Sequence, residues 1–297
     1  MTSSIGVRLS NSASSLPVIS ILIGTVFWGL LWWPLKFFAQ AGLTSNLIGV
    51  TAYLMLGLVA IPILWVQRKL WCDEWLLLVL IGFFFALANI SFNAALMHGE
   101  VVRVMLLFYL LPAWGALGGV LFLGEKLSRQ RCFAIAISIL GVFVIMGIDA
   151  ISWEISLADI MALAAGMCLS AAGVLNKKAL KIPMASRSFV PFIFCPILAV
   201  VGNYFSPTPM PEMSLMIWAL LAGFAFIWIL GATIFTTLGV SHIEASRASI
   251  LQVTELFIAI ISAMVIGGEV LEVKEYVGGT LIILATLSEV FNLIIAK

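Results

Sequence analysis

His98-Gly-Glu-Val-Val-Arg103 and His242-Ile-Glu-Ala-Ser-Arg247 carry His, Glu and Arg at the same three places, at an offset of 144 residues, and at that offset Gly124-Glu125 returns as Gly268-Glu269. A long-period repeat makes each copy one structural unit, so it is weighed before any shorter motif. Working outward from these strings, apolar runs occur at 17–39, 46–66, 75–97, 101–123 and 130–148, then at 156–177, 187–205, 214–238, 246–267 and 275–295. Each is long enough to cross a hydrocarbon core of about 30 Å as a helix. The sequence therefore predicts an all-α polytopic membrane protein of ten transmembrane helices in two five-helix repeats, 17–150 and 151–297, behind a Ser-rich disordered tail at 1–16. Because five is odd, the copies cross in opposite senses. The 98–103 turn then faces outward and the 242–247 turn faces the cytoplasm. Inverted repeats commonly hold a substrate site near mid-depth, where the copies meet.

Composition agrees. Of 297 residues, 63% are hydrophobic and 10% charged, with a mean hydropathy of +1.19. That places most of the surface in lipid, where irregular backbone must be buried against neighbouring helices. A net charge of +1 gives no bias toward nucleic acid. Cys72, Cys132, Cys168 and Cys195 lack CxxC spacing and a nearby His pair, so they are expected to pack as small apolar residues, with no metal and no cofactor. The run from Pro17 is too long for a signal-peptide core and is followed by no A-x-A pattern, so it is expected to be retained as the first span. With both termini cytoplasmic, twelve Lys and Arg residues face inward and only Lys36, Arg103 and Lys274 face outward, which fixes the expected orientation.

The strings Phe108-Tyr-Leu-Leu-Pro-Ala-Trp-Gly-Ala-Leu-Gly-Gly-Val-Leu-Phe-Leu-Gly-Glu125 and Arg247-Ala-Ser-Ile-Leu-Gln-Val-Thr-Glu-Leu-Phe-Ile-Ala-Ile-Ile-Ser-Ala-Met-Val-Ile-Gly-Gly-Glu269 resemble the fourth and ninth helices of EamA-type carriers of the drug/metabolite transporter superfamily. The resemblance covers both halves. It implies a basket in which helices 1, 3, 4, 6, 8 and 9 line a central cavity and helices 5 and 10 lie outside it. It also implies export of a small metabolite across a cell membrane, the inner membrane in a bacterium. One departure matters: such carriers often read Glu-Pro in the ninth helix, whereas Glu255 is followed by Leu256. A proline break is thus expected at Pro112 in helix 4 and not in helix 9.

Glu255 falls about 13 Å along the ninth span, near mid-depth. An ionised carboxylate there costs about 2.5 kcal/mol or more, so it should face a cavity, be paired or be protonated. It is the candidate proton-coupling residue and the candidate anchor for a substrate ammonium group; the plain alternative is a structural Glu bonded to a neighbouring helix. Gln252 shares its face. Asn89 and Asn93, spaced i,i+4, form either a substrate wall or interhelical glue. Thr233, with Thr236 and Thr237, is a weaker candidate, because threonines in helices commonly bond back to their own turn. Trp32 and Tyr109 are the aromatics expected at the cavity; the others fit packing or the interfacial belt.

Glu100 with Arg103 and Glu244 with Arg247 are i,i+3 pairs at the starts of spans 4 and 9. As exposed pairs they are worth a few tenths of a kcal/mol; their recurrence at opposite faces makes them candidate gate residues. Glu125 and Glu269 follow glycines at helix ends, where turn formation and capping of the next helix account for them. No phosphate-binding Gly-x-x-x-x-Gly-Lys-Ser/Thr loop is present to use ATP. The expected function is therefore secondary transport of an amino acid, amine or drug-like solute by alternating access, by exchange or with protons as coupling partner. The expected assembly is a monomer or a homodimer. A channel is the first alternative. An enzyme is the remote one, lacking a nucleophile with its base.

Overall fold

The computed structural model describes residues 15–124, 129–146, 155–205, 207, 209, 211–242 and 245–295. The 1–14 part of the tail and Glu125 lie outside them. Among the described residues ten principal helices follow one another, with short helical turns at Arg68–Trp71 and Cys72–Glu74 between the second and third: α1 in two pieces, α1a (Ser15–Gly29) and α1b (Trp32–Gln40); α2 (Ser45–Val66); α3 (Trp75–His98); α4 in two pieces, α4a (Val101–Phe108) and α4b (Leu111–Leu123); and α5 (Arg129–Met146). The second half gives α6 (Leu157–Lys178); α7 as Met184–Phe189 and Pro191–Phe205; α8 as Leu215–Gly223 and Leu230–His242 joined by a wide turn at Phe224–Ile229; α9 (Ala245–Val265); and α10 (Val273–Ile295). Seven are long and apolar enough to cross a membrane as they stand, with Cys132–Ile145 and Leu251–Val265 as shorter apolar helices.

Proline accounts for the divisions of α1 and α4. Pro112 has no N–H for the Phe108 carbonyl, and α4 parts at Tyr109-Leu110. In the same way Pro34 cannot bond the Leu30 carbonyl, which accepts instead from Trp33 N at 3.1 Å, and α1 parts at Leu30-Leu31. At the 144-residue offset the counterpart of Pro112 is Leu256, and with Lys36 aligned on Lys177, an offset of 141, that of Pro34 is Leu175; α6 and α9 run unbroken. The break expected in α4 and not in α9 is what the structure has; the break in α1 is an addition to it.

Packing follows the repeat. α3 lies on α6 as α8 lies on α1, α4a lies on α6 as α9 lies on α1, and α2 pairs with α7 and α5 with α10. Exchanging the halves maps each contact onto another or onto itself. The ends show the inversion directly. Lys36 near the end of α1, Val101 at the start of α4, Asp159 at the start of α6 and Glu269 just past α9 are all joined at one end of the bundle. So α1 arrives where its counterpart α6 departs, and α4 departs where α9 arrives. The α5–α10 pair closes without side chains between the backbones: a Cβ on Gly278 would stand 2.5 Å from the Gly141 carbonyl.

The main apolar cluster runs through α1b, α2, α3, α4a, α6, α8 and α9, with residues of α5, α7 and α10, and a smaller one joins Leu78 and Ile81 of α3 to Ala179, Ile182 and Val190. Outward faces are apolar too: on α2, Leu54, Leu58, Ile61 and Trp65 are exposed, as lipid contact requires.

Candidate functional site

Glu255 is the middle residue of the 21-residue α9. Its surroundings are built from the breaks of α1 and α4. At Gly29, the last residue of α1a, a Cβ would lie 2.9 Å from the Glu255 carbonyl, so glycine lets α9 close on the α1 break. On the other side Tyr109, in the α4 break, points its hydroxyl at α9, where it donates to the Gln252 carbonyl at 3.3 Å and faces the Glu255 carboxyl. Tyr109 is buried; Glu255 and Gln252 are half-buried. The α4 break is itself supported by α6. Gly166 lets that helix approach the Phe108 carbonyl that Pro112 leaves without its N–H, at 2.8 Å from a Cβ placed there, and Ser170 Oγ donates to the Leu111 carbonyl at 2.7 Å. Tyr109, singled out in the sequence apart from Gln252 and Glu255, thus joins the face those two share.

Trp32 lies toward the Glu269 end, buried, with its indole N–H donating to Ser262 Oγ on α9 at 2.9 Å. Other cross-helix bonds fasten α1 to α8 and α9: Trp28 Nε1 to Thr236 Oγ1 at 3.2 Å, Trp228 Nε1 to the Phe27 carbonyl at 2.8 Å, and Thr254 Oγ1 to Thr25 Oγ1 at 3.1 Å. The seam of Trp32, Trp33, Lys36, Phe37 and Gln40 against Ile266 and Gly267 forms an open groove of about 290 Å³.

The remaining candidates sit elsewhere. Asn89 accepts from the Tyr53 hydroxyl of α2 at 3.0 Å and donates to the Phe85 carbonyl of its own helix at 3.1 Å. Asn93 is buried beside the same hydroxyl, with Oδ1 unpartnered among the described residues. The asparagine pair therefore looks toward α2, the interhelical arrangement. Thr233 Oγ1 donates to the Ile229 carbonyl at 2.9 Å, a bond to its own helix across the wide turn of α8.

Charges collect at the end of the bundle where α4a begins. Arg103 forms a fork with Asp159 on α6, Nε to Oδ1 at 2.8 Å and Nη2 to Oδ2 at 2.9 Å. Asp159 is almost wholly buried and also closes a capping box with Ser156 at the start of α6. Glu100 is exposed and adds its field at Arg103. Glu244 and the side chain of Arg247 lie outside the described residues. His98 and His242 are both exposed. The Glu272–Lys274 contact of 2.7 Å keeps the Glu272 carboxyl below its ordinary range.

Glu269 does something the sequence did not reveal. It does not cap the next helix, which Glu275 serves by accepting from Glu272 N at 2.9 Å. Gly268, at φ +69°, turns the chain, and the Glu269 carboxylate crosses to the other repeat. There it accepts from Val101 N at 2.9 Å and Val102 N at 3.0 Å and pairs with Lys36 Nζ at 2.9 Å. The amide groups that open α4a have no partner within their own helix, and a carboxylate there also meets the positive end of the helix dipole.

The EamA-like transporter family matches residues 15–147 and 156–288, one match to each half. No curated protein matches the sequence significantly. Fifteen solved chains are similar to it. One of them, 17% identical and described only as a crystal structure of a protein, superposes with a TM-score of 0.58 over 92% of this chain and 96% of its own length, a likeness of fold.

Proposed function

Since the chain belongs to the EamA-like transporter family, we propose that it is a secondary carrier that exports a small organic solute, an amino acid, amine or drug-like cation, by alternating access, with Glu255 as the acid that couples transport to protons or holds the solute's ammonium group. The observation that carries this reading is the placement of Glu255 at mid-helix between the breaks of α1 and α4, with Tyr109 and Gln252 beside it. Intramembrane acids are costly unless they serve a path or a partner. The Tyr109 hydroxyl has one hydrogen and faces two acceptors, the Gln252 carbonyl and the Glu255 carboxyl. A protonated Glu255 becomes a donor to the tyrosine oxygen, whereas an ionised one competes for its hydrogen or takes an ammonium instead. Proton loading at Glu255 thus changes the bonding of the α4 break.

The bilayer is the second partner, with the His98 turn on the outer side and both chain ends in the cytoplasm, following the excess of Lys and Arg at the opposite end. The test is uptake and counterflow of labelled amino acids and amines by the purified protein in liposomes, with and without an imposed pH gradient. Saturable counterflow supports a carrier; flux without counterflow identifies a channel. Gradient-driven accumulation that Glu255→Gln abolishes supports the coupling role.

A further inference from the structure

The two proline breaks and the Glu269 carboxylate belong to one device. The pieces beyond the breaks, α1b with nine residues and α4a with eight, are rods about 12–14 Å long at 1.5 Å per residue, lying at the same end of the bundle. Each is joined to the rest of its helix through a stretch with weakened backbone bonding, which is where helices bend. Both are bound by the same carboxylate, α1b through the ammonium of Lys36 and α4a through its first two amides, in addition to the Trp32–Ser262 bond that ties α1b to α9 and the Arg103–Asp159 fork that ties α4a to the start of α6. The carboxylate is held in turn by the fixed turn at Gly268 and the bond from Glu269 N to the Ala263 carbonyl at 3.1 Å. Beneath it run the groove between α1b and the end of α9, then Trp32 with Ser262, then the Glu255 group.

We propose that Glu269 is the latch of a two-rod gate: while its carboxylate holds Lys36 and the start of α4a this end is shut, and on release α1b and α4a swing about Leu30-Leu31 and Tyr109-Leu110 to open the path to Glu255. Glu269 is a positioning residue in this scheme and touches no solute. The counterpart helices α6 and α9 have no such breaks, so the opposite end opens without rods hinged this way, and the two half-cycles differ mechanically. The proposal rests on the carrier reading for its purpose, although the motion is measurable without a solute.

The test uses the full chain in liposomes, with Cys72, Cys132 and Cys168 replaced by alanine, Ser262→Cys as the reporter below the latch, and the fully buried Cys195 kept as a reporter of general unfolding. A membrane-impermeant maleimide is applied on the His98 side and the two cysteines are followed by peptide mass. Glu269→Gln should speed modification at position 262 about tenfold, the factor equivalent to about 1.4 kcal/mol of lost charge-assisted bonding. Val101→Pro, which removes one amide donor yet suits the first position of a helix, should speed it about threefold. Cys195 stays unmodified in both. An unchanged rate at position 262, or a rise matched at Cys195, overturns the latch. If position 262 responds as expected while no solute shows counterflow, the latch stands and the carrier reading falls.

Discussion

Glu255 and Asp159 are both carboxylates in an apolar bundle, and their surroundings assign them opposite duties. Asp159 is used up by the structure: two bonds from Arg103, one from Ser156 N and an almost wholly buried site leave it no capacity for a ligand. Arg103→Ala strands that charge, and a loss of about 3–5 kcal/mol is expected, visible as a lower melting temperature in detergent. Arg103→Ala with Asp159→Ala should recover most of the loss, giving a coupling energy of more than about 1 kcal/mol in the double-mutant cycle. Among the described residues Glu255 has no such fork, and the Tyr109 hydroxyl faces its carboxyl. Glu255→Gln should therefore keep the fold and counterflow while accumulation driven by a pH gradient falls about tenfold or more, as measured in liposomes. Tyr109→Phe removes the neutral bond to the Gln252 carbonyl and should slow transport about fivefold, the kinetic equivalent of roughly 1 kcal/mol.

At the scale of the helices, the contrast between α4 and α9 decides how the halves differ. Leu111, the repeat counterpart of Glu255, begins α4b, so one copy spends this depth on a break and the other on a charge. Pro112→Ala restores an N–H opposite the Phe108 carbonyl and should stiffen α4. The expected outcome is a melting temperature equal to or above that of the parent, with counterflow slowed severalfold. Gly166→Ala works from the partner helix: its methyl would stand 2.8 Å from the Phe108 carbonyl, so α6 must back away, at a cost of about 1–3 kcal/mol read as a fall in melting temperature. The α4 break was legible because proline lacks a hydrogen, a fact of residue type. The α1 break had the same signal in Pro34, hidden inside an apolar run that reads as one span. Ser156 and Asp159 likewise spell a capping box, yet nothing local says that Arg103, 56 residues earlier, lies across from it.

For the whole molecule, periodicity carried the architecture: span lengths, their number and the 144-residue offset follow from hydrocarbon thickness and helical rise, which act locally along the chain. Tertiary destinations do not. Glu269 reads as a helix-end residue for its own half and turns out to bind the start of α4a in the other, and the sequence leaves Asn89 open between a cavity wall and interhelical glue, whereas the structure has it meeting Tyr53 on α2. Tyr109, Gln252 and Glu255 were found because intramembrane polarity is conspicuous; that they touch depends on how α4 and α9 cross. The pairings α3–α6 with α8–α1, and α4a–α6 with α9–α1, are what two halves inserted in opposite senses require. That opposition is the premise of every step from Glu255 outward, and the exposed histidines test it. With the native cysteines replaced, His98→Cys and His242→Cys are each challenged with an impermeant maleimide from either side of a sealed membrane. The account predicts modification of one from the outside only and of the other from the inside only. Modification of both from the same side contradicts it.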